Sequence, residues 1–324
     1  MIHYPVTLTE LVSAIDSALG TSKRRQAWWA KAYGDFLRAI NQRTHNAKQA
    51  YWSDIKEAYI TLQCNKCAYC ETPMPQGSKA LIAYDVEHYR PKSATTPWPT
   101  AEMIKSLGIT YKVNAGRSRG YPELAHHPYN YAVACKVCNS PYKSSFFPIL
   151  GKPDATSYVV PQLNKQEHPA IPLPLGDWGE DPGSLLTFEG FIAVPASNDE
   201  LLRKRAQVVI DFFELNRRPD LLLGRATAIV VAYQHLKELK HPDLASDVAM
   251  AQSWVDGDLS QTAPFASAVR SFKILFDTDE PRARTVARLA NSYISKKSPA
   301  LAQSLTSKPS GSLQSMAAVL AALN

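Results

Sequence analysis

Two Cys-x-x-Cys knuckles constrain this chain most: Cys67/Cys70 in CAYC and Cys135/Cys138 in CKVC. A two-residue spacing lets both thiolates of a knuckle reach one tetrahedral zinc, and two knuckles supply four ligands and close the site. The 64 residues between Cys70 and Cys135 exceed a short finger loop. The insert is therefore expected to fold as a unit of its own, with a structural Zn²⁺ tying its two ends. Cys64 extends the first knuckle to Cys-x-x-Cys-x-x-Cys. It can replace Cys67 in the pairing, but is read as a buried spare thiol. Disulfides are the poorer reading in a reducing compartment. A soluble, cytoplasmic protein is expected. The start, MIHYPVTLTELVSAID, carries acids and lacks the basic and apolar regions of a signal peptide, and no run approaches the length of a membrane span.

Between the knuckles lies YDVEHYRPK, residues 84–92, polar and basic and without the apolar periodicity of a core segment. A histidine beside an acid, flanked by metal knuckles, points to metal-assisted hydrolysis. That chemistry needs a general base for water, a divalent ion on the phosphate, and groups that hold both. His88 suits the base, because its unperturbed pKa lies near neutrality. Glu87 suits a hard-oxygen ligand for Mg²⁺ or Mn²⁺, with Asp85 as the alternative, and Asn139 supplies a second oxygen. Neighbours on a strand point to opposite faces, so Glu87 and His88 can serve metal and water separately.

Charge agrees with an anionic partner. The chain has 36 Lys and Arg against 29 Asp and Glu, a net +7. From 79 to 145 there are nine Lys and Arg against four Asp and Glu, net +5. Arg90, Lys92, Arg117, Arg119, Lys136 and Lys143 are the expected contacts to a nucleic-acid backbone. A second basic stretch, 21–50, is interleaved with Trp28, Trp29, Tyr33 and Phe36. It reads equally as a nucleic-acid face or as the solvated side of an amphipathic helix. His126 and His127 are read as structural.

The pattern of apolar residues and breakers predicts an α+β, mostly helical fold in four parts. Residues 1–63 form a helical segment, with helices at 7–19, 23–44 and 47–62 and Gly20 as a C-cap. Residues 64–150 form the zinc-bound core, punctuated by prolines. Residues 151–198 form a Pro-rich connector with a hairpin over 185–195 turning at Glu189-Gly190. Residues 199–324 form a helical region, with helices at 199–216, 220–239, 242–254, 263–277, 281–295 and 312–323.

The segments EHYRP and NYAVACKVCN resemble the HNH, or ββα-metal, nucleases, including the HNH domain of CRISPR effectors. The resemblance implies a zinc-stapled ββα-metal core. It makes His88 the general base and Glu87 the metal-binding acid, with Asp85 as an alternative. Asn130 becomes the middle Asn that orients the base, and Asn139 the final metal ligand. Lys143 resembles the family's trailing lysine, four residues after Asn139 instead of the usual three. CAYCE, EHYRPKS, CKVCN, FFP, PLPLGDWGEDP and ELNRRPDLLLGRA, in order over roughly 50–230, resemble the Septu-type and retron-associated HNH proteins of bacterial anti-phage defence. That implies a DNA-cutting effector acting with an ABC-like ATPase partner. The alternatives carried forward are an RNA-cutting toxin and a non-catalytic zinc-knuckle nucleic-acid-binding module.

Overall fold

The computed structural model describes residues 1–44, 51–75, 82–173, 175–177, 179–242 and 245–296. The helix expected at 312–323 and the first part of the one expected at 47–62 lie outside these residues. The chain is mostly helical with three two-stranded antiparallel sheets among the described residues, an α+β arrangement. No described helix is long and apolar enough to cross a membrane. The chain divides into two compact units. One comprises His3–Tyr69 and Pro73–Pro182; the other comprises Gly183 onward with Met1–Ile2 and Cys70–Thr72.

In the first unit, α1 (Leu8–Leu19) starts at a capping box. Thr7 Oγ1 accepts from Glu10 N at 3.3 Å, and Thr7 N donates to Glu10 Oε2 at 2.8 Å. Its buried residues Leu11, Ile15 and Leu19 repeat every four positions, so one stripe faces inward. Gly20, at φ +77°, ends it as expected. Helix α2 follows over Ser22–Gln42, then a 3₁₀ turn at Trp52–Ile55 that leads into α3 (Lys56–Leu62).

Strand β1 (Tyr84–His88) pairs antiparallel with β3 (Tyr131–Cys135), with Glu87 opposite Ala132 and His88 opposite Tyr131. Tyr131, Ala132, Val133 and Ala134 have no exposed surface, so β3 is an interior strand. The connection between them holds α4 (Ala101–Leu107) and β2 (Asn114–Ala115). Strand β2 pairs with β4 (Pro148–Ile149), which precedes α5 (Val160–Glu167). Directly after β3 the chain enters a wide π-helical turn, Cys138–Lys143, closed by Ser144 N donating to Asn139 O at 2.7 Å. Pro141 inside it contributes no N–H to a tighter ladder.

The second unit opens with the hairpin of β5 (Leu186–Glu189) and β6 (Ile192–Pro195). Glu189 pairs with Ile192, so the turn falls on Gly190-Phe191, one residue later than expected. Among the described residues five helices follow: α6 (Glu200–Phe212), α7 (Pro219–Lys240), α8 (Ala245–Leu259), α9 (Ala266–Thr278) and α10 (Glu280–Lys296). Helix α6 ends short of the expected 216 because Glu214 turns left-handed at φ +47°. Asn216 then holds β6, accepting from Ala193 N and donating to Ala193 O, both at 2.8 Å. Phe191, Ile192 and Val194 share a core with Leu222, Ile229, Phe272, Phe276 and Val286. The hairpin therefore packs into the core of the helical unit.

Candidate functional site

The four knuckle sulfurs of Cys67, Cys70, Cys135 and Cys138 all lie within 4.8 Å of one another. Thiolates on a tetrahedral zinc at 2.3 Å stand about 3.8 Å apart, so this set can hold a metal ion with little adjustment. Backbone amides already point at the sulfurs: Cys135 N donates to Cys67 Sγ at 3.3 Å and Cys138 N to Cys135 Sγ at 3.4 Å. Cys64 stays outside the cluster, half-buried instead of fully buried, and takes a left-handed φ of +52°.

The β1–β3 pair and the turn after it gather the residues of the second site. A cleft of about 410 Å³ is lined by Glu87, His88, Lys92, Asn139, Val86, Pro91, Ala94 and the serines 93, 140, 144 and 145. Glu87 and Asp85, two apart on β1, meet the segment 136–143. Lys143 Nζ lies 3.0 Å from Glu87 Oε1, Lys136 Nζ 3.3 Å from Asp85 Oδ1, and Asn139 Nδ2 donates to Asp85 Oδ2 at 3.2 Å. Glu87 is 7% exposed. Burial raises its carboxyl above the ordinary range, and the Lys143 ammonium opposes this most. Asp85 is more exposed and does not line the cleft.

His88 is buried at the end of β1. Its ring stands perpendicular to Trp52 and nearly so to Tyr131, with centroids 4.8 and 5.0 Å away. Its Nε2 lies 3.0 Å from Ala125 O. A carbonyl only accepts, so Nε2 carries the proton and the lone pair of the neutral ring sits on Nδ1. Asn130 fixes the frame around this ring. Its Oδ1 accepts from Arg90 N at 2.8 Å, and its Nδ2 donates to Arg90 O and Leu124 O, both at 3.0 Å. It thereby holds both the segment just after His88 and the residue before Ala125.

Three of the six expected nucleic-acid contacts are corrected by their burial. Arg90 pairs with Glu167, donates to Asn164 at 2.8 Å, and lies against the Tyr121 and Phe147 rings. Arg117 donates to the Asp154 and Ser157 carbonyls and faces Glu123. Lys143 is taken by Glu87. All three are at most 3% exposed and their charges are matched by internal partners. Arg119 pairs with Glu123 at 2.7 Å, Lys136 is exposed, and Lys92 is half-buried in the cleft wall.

The aromatics of the second basic stretch face inward in part. Trp28 is buried and donates to Tyr51 O at 3.2 Å; Trp29 donates to Asp16 at 2.8 Å; Tyr33 is exposed. His126 stacks on Tyr51 at 4.5 Å, and His127 is pushed down to about 4 by burial. Trp52 was not singled out by the sequence, since no spacing ties it to the His88 segment. Comparison with family models, curated proteins and solved structures returns no match for this chain.

Proposed function

We propose that this chain is a metal-dependent phosphodiesterase of the HNH kind, cutting DNA, with a structural zinc on Cys67, Cys70, Cys135 and Cys138. The observation that carries this reading is the convergence of Glu87, His88 and Asn139 on one cleft. They reach it from an antiparallel strand pair followed by a helical turn, the order of a ββα-metal motif. The wide turn also accounts for the extra residue before Lys143. An i→i+5 ladder takes up more chain per turn, and the lysine still reaches the acid of β1.

The residues lining the cleft include types that offer hard oxygens to a divalent ion: Glu87, Asn139 and four serines. Glu87 and Asn139 would hold Mg²⁺ or Mn²⁺ there, and a bound ion would offset charge on the phosphate. The protein residues do the rest. His88, with its proton fixed on Nε2, takes the proton of water at Nδ1. Asn130 keeps the ring's carbonyl partner in place. Lys143 opposes the upward pull of burial on the Glu87 carboxyl. Cys67, Cys70, Cys135 and Cys138 would hold the zinc as a structural ion, and Cys138 would thereby anchor Asn139, the next residue.

A role in anti-phage defence beside an ABC-like ATPase belongs to this reading through the sequence resemblance, and co-purification with such a partner tests it. The central experiment incubates purified protein with plasmid and total RNA, with and without Mg²⁺ or Mn²⁺, beside His88→Ala. Plasmid cleavage that needs the ion and His88 is expected. RNA lost before plasmid would make the chain an RNA-cutting toxin. DNA binding without cleavage in any divalent metal would make it a zinc-knuckle binding module.

A further inference from the structure

Cations near the cleft fall into two groups. Arg90, Arg117, Arg119, Lys136 and Lys143 each lie within ion-pair distance of a carboxylate. Lys92 makes no ion pair among the described residues, although it is half-buried in the cleft wall beside His88. Its ammonium is held by an aromatic face, 4.7 Å from the centre of the Trp52 ring. A carboxylate neutralises a lysine; a ring orients it and leaves its charge to be used. Burial lowers the Lys92 pKa from its ordinary value, against the pull of Glu87, so this is a desolvated cation that gains from an incoming anion.

The same indole stands perpendicular to the His88 ring at 4.8 Å. Trp52 therefore touches both the base and the cation. It sits on the 3₁₀ turn Trp52–Ile55, ahead of the first knuckle and outside the segments that line the cleft.

We propose that Trp52 is a positioning residue that sets the His88 ring and the Lys92 ammonium in register, and that Lys92 receives a phosphate oxygen of a polynucleotide strand. The part concerning the base rests on the phosphodiesterase reading. The phosphate contact is measurable without catalysis.

The test measures binding of short single-stranded DNA and RNA of one sequence without divalent metal, by fluorescence anisotropy across 50–200 mM salt. Lys92→Gln should reduce the slope of log affinity against log salt by about 0.7, the loss of one phosphate contact on a single strand. Trp52→Leu keeps apolar bulk but removes the ring and should lose the same increment, while Trp52→Phe should retain it. Metal content and melting temperature check that each variant is folded. In Mg²⁺, Trp52→Leu should lower kcat at least about tenfold, as displaced catalytic groups do, with Trp52→Phe close to wild type. Unchanged slopes in Lys92→Gln and Trp52→Leu would overturn the proposal whatever the protein cleaves, as would a wild type that binds neither strand. A slope lost in Lys92→Gln but kept in Trp52→Leu would overturn the role of Trp52. Slope losses in a wild type that never cleaves would support the phosphate contact while removing the phosphodiesterase reading.

Discussion

Between 84 and 143 the interior holds Glu87, His88, Arg90, Arg117, Glu123 and Lys143, whereas between 183 and 296 the buried charged residues among those described are Arg218 and Arg225. The helical unit is held by a large apolar core, from Phe191 to Tyr293. The knuckle region has strands of two and five residues and helical pieces of three to seven. These short elements bury aromatic and apolar residues such as Tyr89, Tyr121, Tyr131 and Phe147 together with charges, and every buried charge must be matched. Metal coordination can supply what packing does not. The comparison teaches where each kind of stability is spent: apolar packing holds a scaffold, and paired charges with four thiolates hold a cleft whose polar groups stay in place.

Removing a thiolate should break this comparison most severely. Cys67→Ser or Cys138→Ser should lose the metal and unfold the insert, since structural zinc supplies on the order of 10 kcal/mol to such modules. Elemental analysis should find about one zinc per wild-type chain and none in the variants. Phe272→Ala, in the helical core, should cost about 3–5 kcal/mol with the zinc count unchanged. A normal melting temperature in a zinc-free Cys138→Ser protein would show that packing, not metal, holds the insert.

Next in size is the base. His88→Ala should lower cleavage about 10²–10⁴-fold with the zinc content unchanged, the loss of a buried ring lowering the melting temperature without unfolding the protein. Cleavage within a few-fold of wild type would remove His88 from the mechanism.

The two metals should then separate by chemistry. Four thiolates hold zinc tightly, whereas oxygen ligands exchange their ion freely. Brief EDTA should stop cleavage, and Mg²⁺ or Mn²⁺ alone should restore it. Restoration by zinc alone would move catalysis to the cysteine cluster.

Local spacing explains what was legible in the sequence. The knuckles, the Glu87-His88 pair and the step to Asn139 are short-range patterns, and the structure brings these residues to one sulfur cluster and one cleft. Helices α7, α9 and α10 follow apolar periodicity and appear within a few residues of expectation. What stayed hidden depends on long-range partners. Charge counting cannot tell a lysine at the surface from Lys143, because Glu87 lies 56 positions away in sequence. Arg90 reads as a phosphate contact until Glu167 and Asn164 are seen beside it. The place of the hairpin's Phe191 in the helical core is likewise invisible to local pattern.

The smallest expected effect decides which acid of β1 serves the ion. Glu87 lines the cleft and Asp85 does not; Asp85 instead accepts from Asn139 at 3.2 Å and lies beside the exposed Lys136. Glu87 is placed to be a ligand, and Asp85 to orient one. Glu87→Ala would leave the buried Lys143 ammonium with the His88 carbonyl but no carboxylate, and breaking a buried ion pair costs about 3–5 kcal/mol. Glu87→Gln is the cleaner variant, since its amide oxygen can still accept from Lys143. It should raise the Mg²⁺ needed for half-maximal cleavage at least about tenfold, because loss of even an outer partner of a ligand commonly costs 10–100-fold in metal affinity. Asp85→Ala should shift the requirement less, through a looser Asn139, and leave the zinc count untouched. Titrating Mg²⁺ against both variants reads the difference directly. A larger shift in Asp85→Ala would exchange the two roles and make the Glu87–Lys143 pair part of the scaffold, like the Arg90–Glu167 pair.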